Sequence, residues 1–279
     1  PAHFFLYLPQ TFPNLDFSFF HLLLLKRIIL SLDLMILLYD NQFRQNIAKS
    51  QEQGIDIMRP EIIYEDSELI VCIKPAGIAT QSKRIGSPDM VSILKNHIAH
   101  NTKSKQPPYL AVIHRLDQPV TGLLVFAKTP FAAKELNHQL QSEGFGKYYR
   151  TWLSGCLPSN EGDCIDYLVK DGRTNTSSVC EPDTPGAKKA ELHYKVLQQK
   201  DAFTLAEITL KTGRHHQIRV QMSHLGCPIV GDRKYGTAED PSSDFHGLQL
   251  FACRLTLKHP RTHKQLEFLL PETYYAVNL

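Results

Sequence analysis

The sequence predicts an α+β domain built on an antiparallel-rich mixed sheet with flanking helices. Two observations carry that expectation: strand-like segments with apolar/polar alternation outnumber helix-like ones, and the helix-like segments lie far apart along the chain. No fixed-period repeat or low-complexity tract appears from residue 58 onward, which argues against a solenoid.

The elements follow in order. Residues 1–57 are unlike the rest. "HFFLYLPQTFPNLDFSFFHLLLLKRIILSLDLMILLYDNQF" is rich in Leu and Phe, but Lys26, Arg27 and Asp33 interrupt it. No uncharged apolar run therefore reaches the roughly 18 residues of a membrane span. The order of a signal peptide is also missing. The first methionines are Met35 and Met58, so the native start is expected at Met58, or at Met35, with the upstream part extraneous. An amphipathic extension packed on the domain is the alternative. From Glu61, "EIIYEDSELIVCIKP" reads as two strands around an acidic turn, stopped by Pro75 and Gly77. "MVSILKNHIAHN" spaces Val91, Leu94 and Ile98 as a helix does, and "PFAAKELNHQLQSEG" has proline in its first turn. "YLAVI", "LLVFAK", "KYYRTWLSG", "AELHYKVLQQ", "FTLAEITLKT", "LFACRLTLKH" and "KQLEFLLP" read as strands. "RHHQIRVQMSHLG" reads as a helix ending at Gly226.

Charge adds a clue to function. The chain has 279 residues, 42% of them hydrophobic, and a formal charge of +3, too small on its own to imply a polyanion partner. Its distribution says more: residues 101–150 hold seven Lys/Arg against three Asp/Glu, and residues 211–236 hold five against one. Basic groups gathered there suit a phosphate-bearing ligand, or simply a solvated face. The six cysteines form no C-x-x-C pair, and several sit in apolar runs. Reduced thiols in the cytoplasm are the expectation, with no zinc or other metal site.

Asp117 follows a strand in "IHRLDQPVTGLLVFAK" and precedes a Pro/Gly turn, where loops on a rigid sheet often carry catalytic groups. A carboxylate held ionised beside a cation could act as a nucleophile, and the same facts fit a turn cap or a surface ion pair. Arg214 and Arg219 lie near the start of a helix, an end that disfavours cations, so another anion should compensate them: a phosphate or Asp117 itself. For His215 and His216, contact with an RNA backbone and plain helix surface stand level. Tyr148 and Tyr149 should point to opposite faces of their strand, one into a cleft and one into packing.

Together these stretches resemble the RluA-type pseudouridine synthases from about Ile62 to Pro271. "HRLDQPVTGLLVFAK" is similar to that family's catalytic signature, and "TGRHHQIRVQMSHLGCPIVGDRKYG" to its downstream one. "KPAG" at Lys74–Gly77 matches an early Lys-Pro turn, and Tyr149 falls on the tyrosine of "KxY". The resemblance implies a pseudouridine synthase fold with a central RNA-binding cleft. It further implies Asp117 as the nucleophile of uridine isomerisation, Arg219 as its basic partner and Tyr149 at the uracil. Arg115 would hold the flipped nucleotide, His114 would shape the loop, and Lys74, Arg214 and His215 join the RNA-contacting set. Arg219 is expected to lower the pKa of Asp117 from about 3.9.

There are departures. Val120-Thr121-Gly122 stands where Thr-Ser-Gly is frequent, and His215 where threonine or serine is common. Residues 1–57 do not resemble the S4 domain that many relatives carry, so RNA binding should rest on the catalytic domain, residues 58–279. No metal or organic cofactor, no membrane and no obligate protein partner are expected, and the chain should act as a monomer on ribosomal or transfer RNA. The rivals are a non-catalytic RNA-binding protein and a carboxylate-dependent hydrolase. A hydrolase of the glycosidase kind would need a second carboxylate.

Overall fold

A computed structural model describes residues 60–82, 87–102, 106–142, 144–236 and 247–275. All belong to one compact unit, Ile57–Leu279. The leader expected at 1–57, and the start expected at Met58 or Met35, lie outside the described residues.

The described residues form one mixed sheet of 11 strands. Two strands at its heart are apolar runs buried along nearly their whole length. These are β2 (Leu69–Lys74) and β4 (Thr121–Ala127), paired antiparallel. Such runs suit strands covered on both faces. β1 (Glu61–Glu65) flanks β2, and the short β3 (Ala111–Val112) pairs with β4. Beyond β4 the order continues through β10 (Leu250–Lys258), β5 (Gly146–Ser154), β9 (Phe203–Leu210), β8 (Lys188–Lys200), β6 (Glu161–Asp171) and β7 (Thr176–Cys180). β11 (Gln265–Leu269) forms a hairpin with β10. Among the described strand pairs only β4–β10 is parallel, so the antiparallel-rich mixed sheet is as expected.

Alternation along the central strands divides the core. Ile70, Cys72, Leu124 and Phe126 face helices α1 (Met90–Asn101) and α3 (Gln217–His224). Leu69, Val71, Leu123 and Val125 face helix α2 (Pro130–Gln141) and Phe268. Local chemistry starts two of these helices. Asp89 and Ser92 close a reciprocal capping box on α1, and Thr129 Oγ1 accepts from Ala132 N at 3.0 Å ahead of Pro130 in α2.

The helix expected to begin at Arg214 begins instead at Gln217. His216, its N-cap, lies in the left-handed region at φ 54°, which interrupts the helix before it can reach back to Arg214. The sequence reading also passed over β6 and β7. Their hairpin is half solvated, and its polar-rich pattern blurs the alternation.

The parallel β4–β10 contact depends on Gly122, at φ 140° opposite Ala252. A Cβ there would stand 2.5 Å from the Ala252 carbonyl oxygen and 2.6 Å from its nitrogen. Gly122→Ala is therefore expected to destabilise the domain by roughly 2–5 kcal/mol, read as a lower urea midpoint. An unchanged midpoint would show that β4 and β10 can separate at no cost.

Candidate active site

Asp117 stands within the loop between β3 and β4, and four kinds of contact set its place. Leu116 and Val120 on either side are buried, and Val120 N donates to the Asp117 carbonyl at 3.0 Å, closing a tight turn. Thr80 Oγ1 donates to the Leu116 carbonyl at 3.0 Å and accepts from Leu116 N at 3.1 Å. Gly77 N donates to the Gln118 carbonyl at 2.9 Å, and Gln118 Nε2 returns a bond to the Gly77 carbonyl at 2.8 Å. Lys74, fully buried, donates through Nζ to the carbonyls of Pro75, Ile78 and Gln118 at 2.9, 2.8 and 2.9 Å.

Three N–H donors on three carbonyls leave Lys74 nothing to offer a phosphate. This corrects its expected RNA contact: it ties the Lys-Pro turn to the Asp117 loop. Burial draws its pKa down to about 8, although the nearby Asp117 charge opposes that.

The Asp117 side chain, 28% exposed, opens into a cleft of about 590 Å³. Lys147, Tyr149, Arg214 and His215 line the same cleft. Asp117 Oδ2 lies 3.6 Å from Arg219 NH1 and 3.6 Å from His216 Nε2. Neither is a close hydrogen bond. Arg219 spends its short bonds elsewhere: Nε donates to Asp232 Oδ2 at 2.7 Å and NH2 to Asp232 Oδ1 at 2.6 Å. The Asp232 side chain is wholly buried, and its Oδ1 also accepts from Lys234 N at 2.9 Å and Tyr235 N at 3.2 Å.

These contacts drive the two carboxyls apart. Burial tends to raise both, but the Arg219 and backbone bonds overcome it at Asp232 and hold that pKa below the usual range. At Asp117 burial wins over the attraction of Arg219, His215 and Lys74, and the pKa is raised. The expected lowering is thus corrected: the guanidinium belongs first to Asp232.

Tyr149 is buried, and burial with the Asp117 charge pushes its pKa upward, so it faces the cleft as a neutral phenol. Tyr148 points the other way, its ring 3.7 Å from the Arg254 guanidinium carbon. Arg115 is exposed at the cleft wall. His114 turns toward the sheet: its Nε2 accepts from Val125 N at 3.3 Å, and its ring stands edge-on to Phe145. Burial lowers its pKa to about 3, so it adds no charge for RNA. Arg214 is anchored by Nε to the Lys189 carbonyl at 2.8 Å, with its exposed side chain at the cleft. His215 Nδ1 lies 2.9 Å from Ser177 Oγ, and its ring stacks on His216 at 3.7 Å.

The sequence reading missed Asp232, Tyr235 and Lys147 and gave His216 no distinct role. One signal was present for Asp232: it is the single acid among the five bases of residues 211–236.

A basic cleft over one half-buried, under-compensated carboxylate, built on an antiparallel-rich sheet, defines a carboxylate enzyme suited to a negatively charged substrate. A family model described as RNA pseudouridylate synthase matches residues 68–224, and the chain belongs to that family of RNA-isomerising enzymes. The ribosomal large subunit pseudouridine synthase D of Pseudomonas aeruginosa is 35% identical over 227 residues, 77% of this chain and 69% of that protein. The uncharacterized RNA pseudouridine synthase YlyB of Bacillus subtilis is 32% identical over 232 residues, 81% of this chain and 74% of its own. Human RNA pseudouridylate synthase domain containing 4 shares the fold, with a TM-score of 0.63 at 23% identity over 76% of this chain and 88% of that one.

Arg219→Ala should lower stability by about 3–5 kcal/mol, because it strands the buried Asp232 charge; denaturant melts measure this, and a loss under 1 kcal/mol would contradict the pairing. The Asp117 charge acts in the opposite sense. A carboxyl whose pKa is raised by folding weakens the fold at pH values above that pKa, and the penalty fades as pH falls toward the unfolded value, about 3.9. Asp117→Asn should therefore be more stable than the parent in melts at pH 7, with the gap closing near about pH 4. A variant less stable at pH 7 would mean that Asp117 is a fully satisfied ion-pair member.

Proposed function

We propose that this chain isomerises uridine to pseudouridine in ribosomal RNA, with Asp117 as the nucleophile, and acts as a monomer in the cytoplasm. The observation that carries the proposal is the Asp117 carboxylate, raised in pKa, in a cleft shared with Tyr149, Lys147, Arg115 and Arg214. Ribosomal RNA is favoured over transfer RNA by the named function of the Pseudomonas relative.

The target nucleotide must leave its stack, at a cost of a few kcal/mol that contacts between basic side chains and phosphates offset. Asp117 attacks at C6 of the uracil or C1′ of the ribose. The N1–C1′ bond breaks, the base turns within the cleft, a C5–C1′ bond forms, and the bond from the Asp117 oxygen to C6 or C1′ breaks, with its electron pair returning to the carboxylate. C5 loses its proton to a base, and N1 gains one. Tyr149 offers a neutral aromatic surface to the base during the turn. Arg219 supports the ionised carboxylate from 3.6 Å without quenching it in a tight pair.

A hydrolase would need a second carboxylate beside Asp117; among the described residues Asp232 shares Arg219 with it, but Arg219 occupies both its oxygens and its side chain is fully buried.

Incubation with unmodified ribosomal and transfer RNA transcripts, followed by pseudouridine mapping, tests the proposal. New pseudouridine is expected in the ribosomal transcript. Asp117→Asn should lose at least about a thousandfold in rate while binding the transcript within about twofold of the parent. Turnover close to the parent rate would end the nucleophile assignment, and product confined to transfer RNA would overturn the substrate.

A further inference from the structure

His216 and Tyr235 form a pair that the isomerisation scheme above leaves unused. His216 is buried, and its backbone, in the left-handed region, starts α3 without a side-chain cap bond. One ring nitrogen faces the nucleophile, with Nε2 3.6 Å from Asp117 Oδ2. The other faces away, with Nδ1 2.7 Å from the Tyr235 hydroxyl oxygen. That hydroxyl also accepts from Ser177 N at 2.8 Å.

The proton positions follow from counting donors. A phenol has a single O–H to give. The Ser177 amide already donates to the oxygen, and among the described residues the acceptor left for the phenolic hydrogen is His216 Nδ1. Were Nδ1 the protonated nitrogen, two N–H groups would point at one oxygen and the phenolic hydrogen would have no acceptor among the described residues. Burial and the neighbouring Arg219 and Lys234 charges lower the His216 pKa to about 4, so the ring is neutral at pH 7 and carries one proton. That proton sits on Nε2, facing Asp117.

We infer that Tyr235 and His216 are a positioning pair for the nucleophile: Tyr235 fixes the Nε2–H tautomer of His216, and that N–H restrains Asp117 Oδ2 so that Oδ1 is the attacking oxygen. The contacts of both Arg219 and His216 with the carboxylate fall on the same oxygen, Oδ2, at 3.6 Å each. The 3.6 Å separation fits a catalytic contact that tightens when the cleft is filled. Two fixed donors on one oxygen also set the rotation of the carboxylate, which a single guanidinium nitrogen would leave free. The pair rests on the reading of Asp117 as nucleophile, but its first test needs no turnover.

Tyr235→Phe isolates the hydroxyl. The phenyl ring keeps its place, edge-on to His216 at 5.6 Å and 5.1 Å from the Arg219 guanidinium carbon, and only the O–H is lost. Nitrogen-15 NMR of the histidine rings in the full chain reads the tautomer directly. The parent should show His216 protonated at Nε2, and Tyr235→Phe a mixture of both tautomers. In turnover, kcat should fall about tenfold while KM for RNA stays within about twofold, the loss of one oriented hydrogen bond in the transition state. His216→Gln supplies the control, since its amide NH2 can stand near the Nε2 position without needing Tyr235. Adding Tyr235→Phe to His216→Gln should cost less than about twofold more in kcat. A parent His216 protonated at Nδ1, a tautomer unmoved in Tyr235→Phe, or a full tenfold loss repeated in the His216→Gln background would each overturn the pair. Failure of the nucleophile reading shows separately, as an active Asp117→Asn enzyme beside an intact tautomer signal.

Discussion

The bidentate pair between Arg219 and Asp232 is the constraint on which the cleft depends. Two short bonds hold the guanidinium plane, and the buried Asp232 is fixed in turn by the backbone amides of Lys234 and Tyr235. A buried ion pair is weak grounds for claiming stability, since desolvation can cancel the attraction. What it does supply is direction. With Nε and NH2 occupied, Arg219 can reach Asp117 only through NH1, at 3.6 Å. Asp117 thereby gains positive potential that offsets part of the cost of its burial, but no tight partner that would have to be broken before it reacts.

The opposite side of Asp117 is held as firmly through the backbone. Lys74 spends all three N–H donors on backbone carbonyls, including that of Gln118, next to the carboxylate. Leu116 and Val120 are anchored in the core, so the three-residue turn between them, Asp117 included, stands at the rim. Behind the loop, β4 is buried on both faces and locked to β10 at Gly122. Apolar packing fixes where Asp117 stands, and the polar network fixes how it is charged.

Much of this was legible in the sequence. The strands of the central sheet showed as apolar runs, α1 and α2 announced themselves through periodicity and a leading Pro130, and Asp117, Tyr149 and Arg219 were singled out and line one cleft. Beyond the β6–β7 hairpin, three things around the site were not legible, each for a physical reason. The left-handed His216 starts α3 late, because a non-glycine residue at positive φ leaves no pattern in composition. Lys74 read as a ligand because a lysine in a turn is normally exposed, and its burial becomes visible only when three carbonyls converge from distant positions. Arg219 meets Asp117 as expected, but its closer partner Asp232 was missed, because the two acids are equivalent as letters. Burial and backbone amides separate them, and these exist only in the fold.

The ordering of the two carboxyls is therefore the central claim, and carbon-13 NMR of the aspartate side chains measures it most directly. Followed against pH in the parent chain, with Asp117→Asn and Asp232→Asn to assign the signals, Asp117 should titrate above the ordinary value of about 3.9 and Asp232 below it. An Asp117 signal that titrates at or below the ordinary value would contradict the account. It would mean that Arg219 pairs tightly with the nucleophile and that Asp232 does not hold it away.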